Sequence, residues 1–547
     1  MRIHFYRSTL FLHCLLAGSL LFFASCKSHK ETGLQIFRYN EPAGISTLDP
    51  AYAKNQALMW PAHQLFNTLV EVDQQLQIKS SVARYWEYST DKRVITFHLR
   101  TDINFHDDPC FKNGQGRRLV AADLVYSLGR IIDKETASPG AWIFNRKVDS
   151  IAPFKALNDS VFVLKLQRPY QPILGILSMQ YCSIVPREAV EFYGASFRRH
   201  PVGTGPFMFT AWEEGQALIL TRNPRYFEKD NAGKSLPYLD GIKVSFLDSR
   251  ASEFLAFRQQ QLDFINDLDV SFKDDVLTRT GNLKKKWEGK ISLQKHPYLN
   301  IEYLGILMDS SQQKLLQSPL RLKKFRQAIN YAIDRKKLIL YLRNSIGTAA
   351  ESGFVPQGLP SFDKDIVKGF NYDPAKARLL LAEAGFNSEY PSPVVTLLTI
   401  PNYAAIGSFL VNELKQSGID AKVEVVQKSL LIEQTSKSQV AFFRGSWIAD
   451  YPDAENYLGV FYSKNPAPPN YTRYSNIEYD QLFEQSLAET NDSIRYRLYR
   501  EMDQLIVNDC PVVPLWYDMI LHLVQNNVHG FFPNSLNMLE LRYSRKK

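Results

Sequence analysis

The feature that most constrains the fold is a run of alternating strand and helix patterns from residue 394 to residue 443. Residues 394–400 read as an apolar strand, and residues 404–416 carry helical spacing that stops at Gly418. Residues 421–426 read as a second strand, residues 430–436 as a helix, and Val440-Ala441-Phe442-Phe443 as a third, buried strand. A strand–helix–strand repeat of this length predicts parallel strands in a sheet whose faces are covered. The stretch that follows, VAFFRGSWIADYPDAENY at 440–457, turns polar within a few residues. It brings Arg444, Trp447 and Asp450 close together before Pro452 stops regular structure. In open α/β sheets the carboxyl ends of strands face the ligand crevice, so this loop is a candidate pocket wall. Read alone, the same residues also fit a surface loop with an ion pair.

The α/β block is flanked by strand-rich sequence. Upstream, alternating patterns stand at 34–39, 94–99, 161–166, 207–212, 217–222 and 242–247, with a helix at 121–131, helical spacing at 60–69, and a helix starting at Ser252. Residues 82–93 read as helix or turn. Ser318-Pro319, Asp334 and Asp373-Pro374 mark helix starts, by side-chain capping or by Pro in the first turn. Downstream, residues 512–517 and 520–524 read as strands. The simplest architecture is two lobes, the second inserted into the first, with crossovers near His296 and Pro511 serving as a hinge. With 547 residues the chain is too long for one hydrophobic core.

The amino end reads as a targeting segment. Arg2 and Arg7 precede an apolar stretch at 10–23, too short to span a membrane, and no later run approaches the ~20 apolar residues that a span needs. Phe23-Ala24-Ser25-Cys26 resembles the lipobox of bacterial lipoproteins. That resemblance implies cleavage before Cys26 and a lipid on its thiol, followed by a polar tether. Several acyl chains at about 0.8 kcal/mol per buried CH₂ form a stable anchor. Beyond Cys14 and Cys26 the chain carries Cys110, Cys182 and Cys510, enough for one disulfide, expected between Cys110 and Cys182.

Several chemistries lack their signatures. A net charge of +9 is modest for this length, and Lys284-Lys285-Lys286 and Arg545-Lys546-Lys547 are short solvated runs, so no nucleic-acid partner is expected. Ala232-Gly233-Lys234-Ser235 imitates the end of a phosphate-binding loop, but Glu228 stands where its first glycine is required. His98 and His106 read as structural. Asp107 and Asp108 are adjacent, and neighbours in an extended segment face opposite ways. No metal set, cofactor motif or catalytic constellation emerges.

Motifs in order along the chain carry a resemblance. These are Thr47-Leu48-Asp49-Pro50, TFHLRTDINFHDD at 96–108, PVGTGPF at 201–207, LPYLDGI at 236–242, FRQAINYAIDR at 325–335 and NYDPAKARLLLAEAGF at 371–386. Together with Trp447-Ile448-Ala449-Asp450-Tyr451 they resemble the extracytoplasmic solute-binding proteins of ATP-driven peptide and nickel importers, family 5, which include oligopeptide- and dipeptide-binding proteins. The resemblance implies an α/β, two-lobed periplasmic-binding-protein-like fold of type II, in its large cluster C-like form, with an extra subdomain in the first lobe and a hinge. The implied division is 1–25 signal, 26–33 tether, 34–64 with 198–295 and 513–547 as the first lobe's core, 65–197 as its extra subdomain, and 296–512 as the second lobe. It also implies a monomer without catalytic activity, held by lipid to a bacterial membrane in the periplasmic space. Such a protein captures short peptides and passes them to the permease subunits of an ABC transporter. Within the site, Asp450 takes the peptide's α-ammonium, backbone groups of Ser446 and Ile448 pair with its main chain, Trp447 lines a side-chain pocket, and Arg444 meets a carboxylate. Lys54 stands where some oligopeptide binders carry an acidic residue. That departure leaves open a non-peptide solute such as a nickel chelate, an oligosaccharide or haem. A surface hydrolase or sensory lipoprotein is the reading from a different class.

Overall fold

The computed structural model describes residues 33–547; the leader, Cys26 and all but the last residue of the tether lie outside the described residues. The predicted α/β block is present. Strands Val395–Thr399 and Ala421–Val425 pair in parallel, and helix Ala404–Gln416 connects them. The helix packs closely because Gly407 faces the sheet: a Cβ there would lie 3.2 Å from a Val423 methyl. The third strand runs over Phe442–Ile448, further than its apolar start indicates, and joins the parallel set through Leu398↔Phe443. Its polar half is carried by an antiparallel ladder with Ile291–Ile306, from Ile306↔Phe442 to Asn300↔Ile448.

That ladder extends the sheet beyond the α/β block. Ile291–Ile306 also pairs antiparallel with Val512–Gln525, and Phe264–Asn266 adds to the outer edge. The downstream segments read as two strands therefore form one, with Pro514 inside it. The two long strands are the chain's passages between the strand-rich sequence and the α/β block. Their ladder breaks between Pro297↔Met519 and Ile301↔Tyr517.

Two further four-stranded sheets occupy the first half. One has the order Ile36–Asn40, Gly241–Ser245, Ala217–Arg222, Phe207–Glu213, with its first pair parallel. The other is antiparallel, in the order Ala83–Tyr88, Val94–Leu99, Val161–Lys165, Phe154–Asn158, and packs against helix Ala121–Ile132. Residues 83–88 are a strand, contrary to the helix-or-turn reading, because Tyr85, Trp86 and Tyr88 find cross-strand partners in His98, Phe97 and Ile95. Other local readings shift as well. The first long helix is Gln56–Leu65, capped by Asn55, and Ser249 rather than Ser252 caps helix Arg250–Arg258.

The expected disulfide does not form. Cys110, Cys182 and Cys510 are free thiols. Cys182 is wholly buried with its Sγ toward the Ile176 carbonyl, while Cys110 sits half-buried in a loop.

Candidate functional site

A cavity of about 750 Å³ lies where the strand end at Ile448 meets the first half of the chain. Its walls come from residues 53–75, Trp142, residues 178–181, Tyr226, Tyr298–Leu299, residues 448–452 and the C-terminal segment 532–543. Trp60, Phe66, Met179, Tyr181, Phe532 and Met538 give it broad apolar and aromatic surfaces, as expected for a small-molecule site.

Asp450 follows directly on the strand. Its loop is fixed by Asn456, whose Oδ1 accepts the Asp450 backbone N–H at 3.2 Å and the Trp447 indole N–H at 3.0 Å. Asn456 Nδ2 donates to Asp450 Oδ2 at 3.1 Å. Asp450 opens onto the cavity, yet the enclosing protein raises its carboxyl above the ordinary aspartate value. Burial is the main cause, and the Asn456 hydrogen bond and the positive charge of Lys147 oppose it. Behind it, the Tyr170 hydroxyl lies 3.1 Å from that of Tyr451 and donates to Glu455 Oε2 at 3.1 Å. The loop carrying Asp450 is thus tied to the first half of the chain.

The other predicted residues fall in different places. Ile448 is half-exposed and lines the cavity; of the described residues around it, Arg444, Ser446 and Trp447 do not. Ser446 pairs with Glu302 in the ladder, and Trp447 with Ile301. On the opposite side, among the described residues, the strand pairs only at Phe443, and no described strand neighbours the edge from Arg444 to Ile448 there. Arg444 bonds both oxygens of Glu302 at 2.6 and 2.7 Å and lies over the Tyr403 ring, 3.9 Å from its centroid. Tyr403 donates its hydroxyl to the same carboxylate at 3.0 Å. The Arg444 side chain is therefore spent within the α/β block.

Sequence reasoning missed the cavity's charged floor. Buried Arg542 bonds Glu540 at 2.6 Å and Glu228 at 2.7 Å and lies 3.2 Å from Glu71; His63 lies 3.2 Å from Glu540. Burial pushes the Glu71 carboxyl up, whereas Arg542 and His63 hold Glu540 well below its usual range. Nothing local in the sequence signals this network, which joins distant segments. His106 is structural, as read. Its ring contacts the Gly205 carbonyl and the Gly203 N–H, and burial lowers it to about 4, so it stays neutral.

Among the described residues no group of acidic, histidine and cysteine side chains forms a metal site, and no helix is long and apolar enough to cross a membrane.

Known proteins share this architecture. The chain is 24% identical to heme-binding protein A of Haemophilus influenzae over 86% of its own length and 84% of the relative's. It is 23% identical to the dipeptide-binding protein of Escherichia coli, over 86% and 87%. Among solved structures, the unliganded open form of the periplasmic murein tripeptide-binding protein MppA matches with a TM-score of 0.81 at 20% identity, covering 94% of this chain and 98% of that one. DppA from Helicobacter pylori, in complex with the peptide STSA, matches at 0.68 and 24%, covering 94% and 98%. These neighbours establish the fold as that of the two-lobed periplasmic binding proteins. The family model described as bacterial extracellular solute-binding proteins, family 5, middle region, matches residues 77–469, and this chain belongs to that family.

Proposed function

We propose that the protein captures short peptides in the 750 Å³ cavity and presents them to an ABC permease, anchored outside the cytoplasm by a lipid on Cys26. One observation carries the reading: Asp450 faces the cavity at the end of a strand whose far edge is unpaired among the described residues, whereas the other lining carboxylates, Glu71, Asp73 and Glu540, already sit against Arg542, Lys79 and His63. An extended peptide laid on that edge gains main-chain hydrogen bonds without reading side chains, and its α-ammonium meets Asp450. Ile448 lines the same wall, with Trp447 and Ser446 in the strand behind it. Residues 34–64, 198–295 and 513–547, with the subdomain 65–197, make one lobe, and 296–512 the other. The ladder break at Pro297–Ile301 opposite Tyr517–Met519 is the bending point of the hinge. The higher structural match to an unliganded open form than to a peptide complex supports a cleft standing open.

The test compares peptides with free and acetylated amino ends by titration calorimetry. Acetylation weakens binding strongly in the natural chain. Asp450→Asn weakens the free peptide by about 3–5 kcal/mol, the cost of stranding one partner of a buried charge pair, and leaves the acetylated one little changed. Equal affinity for both peptides in the natural chain would remove Asp450 from the role. Membrane attachment is tested separately: Cys26→Ser releases the protein from membranes, and persistent pelleting would refute the anchor.

A planar apolar solute is the second reading. Trp60, Phe66, Met179, Tyr181 and Phe532 favour it, and haemin titration followed by its absorption band decides it.

A further inference from the structure

A second cavity, of about 480 Å³, adjoins the ligand cavity, and the two share one lining residue, Lys54. Its wall combines apolar Leu58, Pro139, Val190 and Phe197 with three cations, Lys54, Arg130 and Arg198, against one carboxylate, Asp49. That carboxylate is already used. Arg130 bonds both its oxygens, at 2.7 and 3.1 Å, in a largely buried fork, and the Ala51 N–H donates to Oδ1 at 3.0 Å. Arg198 shares the Glu214 carboxylate, at 3.0 Å, with Arg199 at 3.3 Å, and is held by the Ser46 carbonyl at 3.2 Å. Lys54 is exposed, and among the described residues no carboxylate lies within ion-pair distance of its ammonium. Cations therefore outnumber carboxylates around the second cavity, and Lys54, which none of these carboxylates pairs, stands at the wall the two cavities share.

We infer that the second cavity is an anion-accepting extension of the ligand cleft, in which Lys54 holds a carboxylate at the end of the ligand remote from Asp450. This rests on the peptide reading of the main cavity. A lysine is a compact charge on a flexible four-carbon stem with three rotatable donors, suited to meeting a carboxylate at either cavity mouth. Apolar walls lower the local dielectric and strengthen that pairing. With the Asp450 carboxylate and the Lys54 ammonium both lining the main cavity, the cleft offers a partner to each charge of a zwitterion. The ligand carboxylate is either the peptide's C-terminus or an acidic side chain.

The experiment measures the affinity of the natural chain, Lys54→Gln and Asp450→Asn for Ala-Ala-Ala, its C-terminal amide, Ala-Ala-Glu and Ala-Ala-Gln. The free-carboxylate or Glu peptide binds the natural chain at least about tenfold more tightly than its uncharged counterpart, a difference of about 1.4 kcal/mol. In Lys54→Gln that ratio collapses, while in Asp450→Asn both members weaken together and the ratio persists. Loss on amidation assigns the C-terminus; loss on Glu-to-Gln exchange assigns a side chain. Equal affinity for charged and uncharged peptides, or a ratio that survives Lys54→Gln, overturns the inference while leaving the peptide reading intact. Absence of binding to all four peptides overturns the peptide reading and the inference with it. Thermal melting of Lys54→Gln, unchanged for an exposed side chain, confirms that the comparison is between folded proteins.

Discussion

Asn456 holds Asp450 at two points, accepting its backbone N–H and donating to its carboxylate, and the same Oδ1 takes the Trp447 indole N–H. One amide thus sets both the end of the strand and the aim of the carboxylate. Asn456→Ala removes three hydrogen bonds in a buried position and costs about 1–3 kcal/mol of stability, measured by urea unfolding. Peptide affinity falls as well, because Asp450 is no longer oriented. Stability loss with unchanged affinity would show that the clamp serves the fold alone.

Binding depends on pH in a defined direction. The Asp450 carboxyl is raised by burial, so in the free protein it takes up a proton at higher pH than an ordinary aspartate. A neutral carboxyl does not pair with an ammonium. Peptide affinity therefore falls as pH drops from 7, with its onset above the ordinary aspartate range, near 3.9. Calorimetry across that range checks it; a midpoint at or below 3.9 contradicts the raised value.

Arg444 and Glu302 form a pair whose removal acts on the fold. Their side chains are 13% and 4% exposed, so breaking the pair leaves a charge stranded in a low-dielectric interior. Arg444→Ala or Glu302→Ala costs about 3–5 kcal/mol in urea unfolding, whereas replacing both by apolar residues of similar volume recovers most of it. A ligand-binding role for Arg444 predicts the opposite pattern, lost affinity with stability retained.

What was legible in the sequence was local. Side-chain caps at Asp334 and Asp373 sit where read, accepting from the Lys337 and Lys376 N–H groups, and Gly418 takes the left-handed conformation at φ +91° that ends its helix. The parallel ladder follows from apolar runs and spacing that a single segment carries. What failed was partnership across the chain. Arg542 meets Glu71 and Glu228 across 471 and 314 residues, and no periodicity reports such a distance. The same holds for the strand at Phe442–Ile448. Arg444 and Ser446 look like loop until Leu304 and Glu302 appear opposite them. Asp450 stood out because its neighbourhood changes from apolar to polar within one segment.

Asp503 gives the protein a pH-dependent stability of its own. This buried carboxylate accepts the Phe354 N–H at 2.6 Å and the Val355 N–H at 3.3 Å, and burial pushes it up to about 7. Its folded value lies above its unfolded value of about 3.9, so the folded state binds more protons between the two. The group's contribution to stability therefore rises as pH falls from about 7 to about 4, by up to about 4 kcal/mol. Asp503→Asn removes that slope. Urea midpoints for both chains at several pH values measure the difference, and parallel curves would refute it.

Two glycines set how closely the central strands approach. In the ladder Gly445 lies opposite Tyr303, and Gly305 opposite Phe443. A Cβ on Gly445 would stand 2.5 Å from the Tyr303 ring, and one on Gly305 2.4 Å from the Phe443 ring. Each aromatic ring thus covers the bare backbone of the glycine across from it. Tyr303 and Phe443 are buried, with no space to swing aside. Gly445→Ala therefore overpacks the strand that leads to Asp450 and destabilises by about 1–3 kcal/mol. Pairing Gly445→Ala with Tyr303→Leu relieves the clash, so the double variant is more stable than the sum of the single changes predicts. Additive losses in urea unfolding would mean that the ring and the glycine do not constrain one another.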